Sequence, residues 1–471
     1  MKKIVIVVFI IFLILNCSEN DISRKYFPRY KQYWSEVETT ILDTWMESKV
    51  DAETWQMPGS LELPYDYFSI HTGRNVLFGW DTYFTNAGIV LVDSFAVYAK
   101  NAVENQFAEI EQIGYVPNAS EPWALNRSQT PFLSMMVREV YETPGLADKK
   151  WLRQAYDILK KEYHFWTDMS EDAIEDHSTS IPGLQRFYHH ATDEELLKFY
   201  VQLAPRFGFP IDLSKEEKLT MGEAWLSEAE SGMDFTPRFE NRCHEFVAID
   251  LNSNLYMYEI NFAWMVKELG LRGQPDWKGM AEKRRSLLTK YCWNAARGVF
   301  MDYDYVNERF SKVASVAAFY PLWAGLATEA QAEVTVDNLS LFEYDYGPTI
   351  CEKSEQERAY QWDYPAGWPP IYYLVVTGLD NYCYKNEAAR IAGKYLDIVA
   401  RNFMEPIPET FSSRKKGVEK LERRVPGYVY EKYNVVNGTI YDAEYPSRPF
   451  HGWSYGVYMW CLDYYNTNAI K

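Results

Sequence analysis

Apolar residues recur every three or four positions along most of the chain, a spacing that predicts α-helices with one buried face. Between residues 26 and 46, for example, Val37, Ile41 and Trp45 fall on the same side of a predicted helix. Further helical segments are predicted at 81–113, 132–141, 149–169, 193–204, 215–231, 250–269, 277–292, 313–327, 330–339, 369–377, 386–403 and 452–465. The pattern therefore indicates about a dozen helices.

Patterns typical of β-strands are short and lie between the predicted helices. Residues 298–305 and 428–433 predict small β-hairpins in the connecting loops. No break in composition and no flexible linker divides the chain, so we expect one large all-α domain. A double ring of helices suits this helix count, and another helical array is compatible with the same periodicity.

The N-terminus has the pattern of an export signal. Lys2 and Lys3 precede an apolar run from Ile4 to Leu15, which is too short to span a bilayer but fits a signal peptide. Cys17 follows this run after Asn16 and resembles the lipidation site of bacterial lipoproteins. Residues 1–16 are therefore predicted to be a signal peptide, and Cys17 to carry a lipid. The expected location is the bacterial cell envelope, periplasmic or anchored in the outer membrane, with plain secretion as the alternative.

Composition narrows the choice of partner. The formal net charge is −18, and no run of lysine and arginine is present, which argues against binding to nucleic acid. Aromatic residues make up 17% of the chain, and flat amphipathic rings suit the faces of sugars. The sequence lacks CxxC, HExxH and GxGxxG patterns, so we predict no metal and no cofactor.

Several segments between the helices combine aromatic rings with carboxylates, amides or arginine. Such combinations suit a sugar site, because rings cover the C–H face while polar groups bind the hydroxyls. They therefore predict a carbohydrate-binding site built from connecting segments. These segments are 79–84, 116–119, 126–132, 230–235, 361–370, 428–433 and 443–446.

Four of these segments resemble motifs of the trehalases, glycoside hydrolase family 37. QWDYPAGWPP at 361–370 looks like the second trehalase signature, and NRSQTPFLSMMVREVY at 126–141 resembles another family segment. ESGMDF at 230–235 and YEKYN at 430–434 also match, in family order. The resemblance implies an (α/α)6 toroid with the site in its central funnel. It also implies an inverting α-glucosidase, with α,α-trehalose as the first substrate to test.

The same resemblance assigns roles to individual residues. The family's general acid falls on Asp234 and its general base on Glu431. In an inverting glycosidase these carboxyl groups stand about 6.5–9.5 Å apart, which leaves room for a water molecule. Residues implied to contact substrate are Phe78, Trp80, Asp81, Asn118, Arg127, Ser128, Gln129, Gly232, Gln361, Trp362, Asp363 and Glu444.

Two departures from the family put the substrate in question. Gly73 stands where the first signature has an arginine, and 191–195 replaces an Arg-Pro-Glu segment. The stretch 449–453 is similar to the processing α-glucosidases of family 63. Two alternatives therefore stay open: hydrolysis of a different α-glucoside, and a non-catalytic sugar-binding lipoprotein.

The expected organisation follows from these assignments. Residues 17–60 form an N-terminal segment with the first helix, and 61–471 form the catalytic domain. We expect a monomer whose partner is a small oligosaccharide or disaccharide, with membrane contact only through the lipid at Cys17.

Overall fold

Helices dominate the computed structural model, which describes residues 26–354, 360–405, 426–442, 445 and 447–468. Over these ranges the chain forms fourteen α-helices, numbered in chain order. They are α1 Trp34–Thr44, α2 Gly79–Ile89, α3 Ala96–Ile113, α4 Leu133–Glu142, α5 Lys149–Thr167, α6 Asp193–Phe207, α7 Lys215–Glu230, α8 Ile249–Leu269, α9 Trp277–Cys292, α10 Tyr320–Trp323, α11 Glu329–Asp337, α12 Pro369–Asn381, α13 Lys385–Met404 and α14 Trp453–Asn468.

Six helices close into an inner ring. Helices α2, α4, α8, α10, α12 and α14 contact one another in that order, and α14 packs against α2 to complete the circle. Every residue of α2 is buried, as expected for a helix covered on all sides. Helices α1, α3, α5, α9, α11 and α13 form the outer layer, in which α1 contacts both α13 and α14. The expected (α/α)6 toroid is confirmed.

Helices α6 and α7 form an additional hairpin with its own hydrophobic cluster. Tyr200 stacks on Trp225 with ring centroids 5.2 Å apart, and Phe207 packs against the same indole. Each helix begins with a capping box, Thr192 with Glu195 in α6 and Ser214 with Glu217 in α7. The hairpin is therefore fixed at its start by caps and along its length by packing.

Short strands tie the connecting loops together. The important pair for the site is β10 with β11, in which Gly367 lies opposite Tyr433 and brings 361–367 beside 430–434. In the predicted hairpin region 298–305, β5 pairs with β4 and β6 pairs with β3 and β7. The strands are β1 Lys49–Val50, β2 Tyr67–Phe68, β3 Phe246–Val247, β4 Trp293–Asn294, β5 Val299–Phe300, β6 Tyr303–Asp304, β7 Arg309–Phe310, β8 Glu343–Tyr344, β9 Gly347–Pro348, β10 Ala366–Gly367 and β11 Tyr433–Asn434.

Two predicted helical segments differ from the structure. The segment 81–113 divides into α2 and α3, because tight turns after Ile89 reverse the chain from the inner to the outer ring. The segment 313–327 contains only one α-helical turn, α10, preceded by a 3-10 turn. Among the described residues, no helix is long and apolar enough to cross a membrane.

Candidate active site

A cavity of about 190 Å³ lies at the N-terminal ends of several inner helices. Trp80 belongs to the first turn of α2, Trp368 immediately precedes α12, and Trp453 begins α14, and all three line the cavity. The site is thus built from the first turns of a rigid ring and from the loops that lead into them.

The structure brings most of the residues predicted for the site into this one cavity. They arrive from segments far apart in sequence, which only the closed ring places together. The predicted residues that line it are Phe78, Trp80, Asp81, Asn118, Arg127, Gln129, Gly232, Asp234, Gln361, Trp362 and Glu431.

Stacked and edge-on tryptophans form the apolar wall. The rings of Trp362 and Trp368 are parallel with centroids 3.9 Å apart, and Trp453 meets both edge-on. Trp80 packs against Gly232, where an added Cβ would lie 2.5 Å from the indole and where φ is +78°. Only glycine suits this position, because a side chain would clash with the ring and strain the backbone.

Asp234 lies in the cavity wall with an environment that favours its protonated form. Removal from bulk water raises the pKa of this carboxyl group to about 6, the positive charges of Arg206 and Arg127 oppose the rise, and Glu431 adds to it. A carboxyl group with this pKa retains a proton well above the usual range of aspartate. Asp234 therefore has the protonation behaviour of a general acid.

Glu431, the second carboxyl group of the cavity, is held by two hydrogen bonds. One of its carboxylate oxygens accepts a hydrogen bond from the buried ammonium group of Lys432 at 2.8 Å, and the other accepts one from the Tyr445 hydroxyl at 3.1 Å. The cavity therefore holds two carboxyl groups, Asp234 in a buried wall and Glu431 fixed by hydrogen bonds from its neighbours.

Polar residues of two loops form the hydrophilic side. Arg127 donates to the side-chain oxygen of Asn118 at 3.2 Å, and Gln129 accepts from the Trp80 backbone N–H at 2.8 Å. Burial lowers the pKa of Arg127 to about 10, while Asp234 opposes this change. Burial also raises the pKa of Asp81 well above its usual value, with smaller contributions from Glu431 and Asp234. These groups offer both donors and acceptors to a ligand.

Among the described residues, two predicted contacts are not part of the cavity wall. The Ser128 hydroxyl points away and donates to the Val116 carbonyl at 2.6 Å. The Asp363 carboxylate accepts from the backbone N–H of Tyr364 at 2.7 Å and thus fixes its own turn. Both side chains therefore stabilise the motifs that carry them and do not line the cavity. Glu444 lies outside the described residues.

Other residues line the cavity without having been predicted for it. Trp368, Tyr445, Phe450 and Trp453 all stand inside motifs noted in the sequence, so motif membership could have identified them. Ile70, Trp123 and Ala229 carry no comparable signal. This group consists of Ile70, Trp123, Ala229, Trp368, Tyr445, Phe450 and Trp453.

A buried charged network lies next to this site. Glu175, His177 and Glu230 are the one group of potential metal ligands that the described residues bring together. Both oxygens of Glu230 already accept backbone hydrogen bonds, from Ser128 at 3.1 Å and from Tyr188 at 2.9 Å. These bonds give Glu230 a bracing role, because they join the loop that carries Arg127 to the helix that precedes Asp234.

Comparison with known proteins finds trehalases. The family model described as Trehalase matches residues 29–466. The cytosolic neutral trehalase of Kluyveromyces lactis is 31% identical, over 90% of this chain and 59% of its own length. A probable trehalase of Saccharomyces cerevisiae is also 31% identical, over 90% of this chain and 58% of its own. The chain thus spans less than two thirds of the length of these curated relatives.

Solved structures show the same fold. Neutral trehalase Nth1 of Saccharomyces cerevisiae superposes with a TM-score of 0.69 at 28% identity, covering 85% of this chain and 74% of its own. The family 63 mannosylglycerate hydrolase of Thermus thermophilus gives a TM-score of 0.57 at 15% identity, covering 92% of this chain and 99% of its own. At that identity the second similarity concerns the fold alone.

The comparisons overturn the location expected from the N-terminus. Several relatives are cytosolic neutral trehalases, and they come from fungi. The expected bacterial envelope lipoprotein is therefore wrong. A run of a dozen apolar residues is found in buried segments as well as in signal peptides, so the pattern alone did not determine the location. Residues 1–16 and Cys17 lie outside the described residues.

Proposed function

Because the chain belongs to the trehalase family, we propose that it hydrolyses α,α-trehalose to glucose with inversion at the attacked carbon. One observation carries the proposal. Asp234 and Glu431, 197 residues apart in the chain, line the same tryptophan-walled cavity, where burial raises the pKa of Asp234 and hydrogen bonds from Lys432 and Tyr445 hold the Glu431 carboxyl group. An inverting glycosidase needs this combination of an acid and a base.

In the proposed reaction, Asp234 acts on the leaving sugar. Its carboxyl proton passes to the glycosidic oxygen as the bond from that oxygen to the anomeric carbon breaks. The pKa of about 6 supports this role, because a substantial fraction of the carboxyl group is protonated near pH 6. The departing glucose leaves as a neutral alcohol, so that no alkoxide has to form.

Glu431 acts on the water. Its carboxylate accepts a proton from a water molecule while the water oxygen bonds to the anomeric carbon from the opposite face. The contacts from Lys432 and Tyr445 hold this carboxylate in position. The attacked glucose is released as the β-anomer and the departing glucose as the α-anomer, as inversion of an α-linkage requires.

The remaining cavity residues bind and orient the ring in this proposal. Trp362 and Trp80 cover an apolar face, while Arg127, Asn118 and Asp81 bind hydroxyl groups. Asp81, whose pKa is raised, offers a carboxyl proton as a hydrogen-bond donor.

A disaccharide panel tests the function. Purified protein is incubated with trehalose, kojibiose, nigerose and maltose, and glucose release is measured for each. We expect turnover of trehalose and, by proton NMR during the first minutes, equal amounts of α- and β-glucose. Only α-glucose at early times would contradict inversion. Turnover of another disaccharide without turnover of trehalose would contradict the substrate assignment and favour the alternative α-glucoside.

A further inference from the structure

We infer that Arg206, at the end of α6, binds the second, departing sugar of the substrate and so selects for a disaccharide over a simple glucoside. The inference rests on the proposed α-glucosidase function and adds a residue that the sequence motifs do not include. Arg206 lies at the mouth of the cavity, where the lining residues Gln361 and Tyr445 meet exposed side chains.

The size of the cavity requires a second binding region. A volume of about 190 Å³ is well below the roughly 300–1,000 Å³ typical of pockets that enclose drug-sized ligands. It therefore suits one sugar ring between Trp362 and Asp234. The second ring of a disaccharide must lie at the mouth, where exposed side chains meet the cavity wall.

Arg206 is positioned at that mouth. Its Nη2 donates to the side-chain oxygen of Gln361 at 3.3 Å, and its guanidinium carbon lies 5.9 Å from the ring centroid of Tyr445. Gln361 and Tyr445 both line the cavity, whereas Arg206 itself is exposed. The neighbouring Phe207 is buried against Trp225 and Tyr360, which fixes the last turn of α6.

Charge identifies the side of the cavity on which the departing sugar lies. After burial, Arg206 is the strongest influence on the pKa of Asp234, ahead of Arg127. A general acid must contact the oxygen that joins the two sugars, so the departing sugar lies beside Asp234. Of the cations around the cavity, Arg206 has the largest effect on the pKa of Asp234. We therefore place Arg206 on the side of the cavity where the departing sugar lies.

Arg74, the other candidate cation, has different neighbours. Its guanidinium is 4.0 Å from the Glu121 carboxylate and 5.8 Å from the Phe78 ring centroid. It lines a separate outer cavity with Trp55 and Asn75 and acts on the pKa of Asp81 and His71. Arg206 and Arg127, rather than Arg74, are the main cations that act on the pKa of Asp234.

The same helix explains how a family arginine could be replaced. The segment 191–195, which stands in place of the family's Arg-Pro-Glu, forms the N-terminal cap and first turn of α6. Helix α6 then runs to Phe207 and presents Arg206 from its opposite end. The helix that begins with this altered segment therefore brings a different arginine, Arg206, to the mouth of the cavity.

Arg206→Ala tests the inference with two substrates. Trehalose has a second sugar, whereas α-D-glucosyl fluoride has only a fluoride ion as its leaving group. We expect kcat/KM for trehalose to fall about 10- to 100-fold, as for loss of charged hydrogen bonds, and that for the fluoride to change less than threefold. Arg206→Lys should recover part of the activity on trehalose. Lys198→Ala, which removes an exposed cation from the same helix, is the matched control.

Each outcome decides the inference. Equal losses on both substrates would show that Arg206 supports the fold or the attacked sugar and would overturn the inference, as would unchanged trehalose turnover. Fluoride leaves without a proton from Asp234, so a trehalose-specific loss confined to kcat, with KM unchanged, would show that Arg206 acts through Asp234 and would also overturn it. A trehalose-specific loss in Arg74→Ala but not in Arg206→Ala would assign the second sugar to the outer cavity and also overturn it. Failure of the wild-type protein to hydrolyse trehalose, with turnover of the fluoride, would instead contradict the proposed substrate.

Discussion

At the scale of single residues, the proposed reaction gives different roles to two carboxyl groups, those of Asp234 and Glu431. Replacing Asp234 with Asn removes the transferable proton but keeps the size and polarity of the side chain. We expect kcat for trehalose to fall by about 10²–10⁴-fold with little change in KM, as for loss of a general acid. Asp363→Asn is the matched control, because Asp363 lies outside the cavity wall and its amide oxygen can still accept from Tyr364. Activity of Asp234→Asn within tenfold of the wild type would contradict the assignment.

The pKa of Asp234 also predicts how activity depends on pH. The proposed acid works only when protonated, and its pKa is raised to about 6. We therefore expect kcat/KM to fall tenfold for each pH unit above about 6, which initial rates between pH 5 and 9 would measure. Because Arg206 lowers this pKa, Arg206→Ala should move the decline to higher pH. A rate that stays constant from pH 6 to 9 would be incompatible with this acid.

At the scale of helices, the inner ring depends on one unusually close contact. Helices α2 and α14 meet at two glycines, where a Cβ on Gly88 would lie 2.4 Å from the Gly456 carbonyl oxygen. A Cβ on Gly456 would lie 2.2 Å from the Phe84 carbonyl oxygen. Both contacts are with backbone, which cannot move aside as a flexible side chain can. The two helices carry Trp80 and Trp453 of the cavity wall, so their spacing also sets the spacing of these rings.

Gly456→Ala should therefore affect stability and activity together. We expect the free energy of unfolding to fall by about 1–3 kcal/mol, as for overpacking of a core, with a lower kcat/KM for trehalose. Urea denaturation followed by tryptophan fluorescence and a glucose assay would measure the two effects. Thr467→Ala, on the exposed last turn of α14, should leave both close to the wild type. A Gly456→Ala protein of unchanged stability would mean that the helices separate at little cost.

At the scale of the whole molecule, the fold was more predictable from the sequence than the site. Periodicity identifies a helix wherever one face is buried, and the family motifs identify segments that enter the cavity. Contacts between distant segments leave no local pattern: Arg206 and Gln361, 155 residues apart, become neighbours only when the ring closes. The sequence also does not show which way a side chain within a motif points. Ser128 and Asp363 belong to motifs of the site, yet neither lines the cavity. The short apolar run at the N-terminus is common to several kinds of segment, and the location inferred from it was wrong.

Buried carboxyl groups distributed through the toroid also predict how its stability responds to pH. Burial raises the pKa of Glu162 and of Glu228 to about 8 and that of Asp363 to about 7. A carboxyl group whose pKa is higher in the folded than in the unfolded state binds its proton more tightly when folded. Its stabilising contribution is complete at low pH and is lost as the pH rises through the folded value.

We therefore expect the free energy of unfolding to decrease between pH 6.5 and 8, by up to ~1.4 kcal/mol per pH unit each for Glu162 and Glu228, and for Asp363 only up to about pH 7. Burial lowers the pKa values of His189 and His451 to about 3 and about 4. These histidines make the free energy of unfolding rise with pH, but only below about pH 6.5, where histidine is protonated in the unfolded chain. Urea denaturation at several pH values would measure the slope. Glu162→Gln keeps an acceptor for the Tyr258 hydroxyl but cannot titrate. The free energy of unfolding of this variant should therefore fall less steeply with pH, by the contribution of one proton, ~1.4 kcal/mol per pH unit. A free energy that is constant or rising over this interval would contradict neutral burial of these groups in the folded protein.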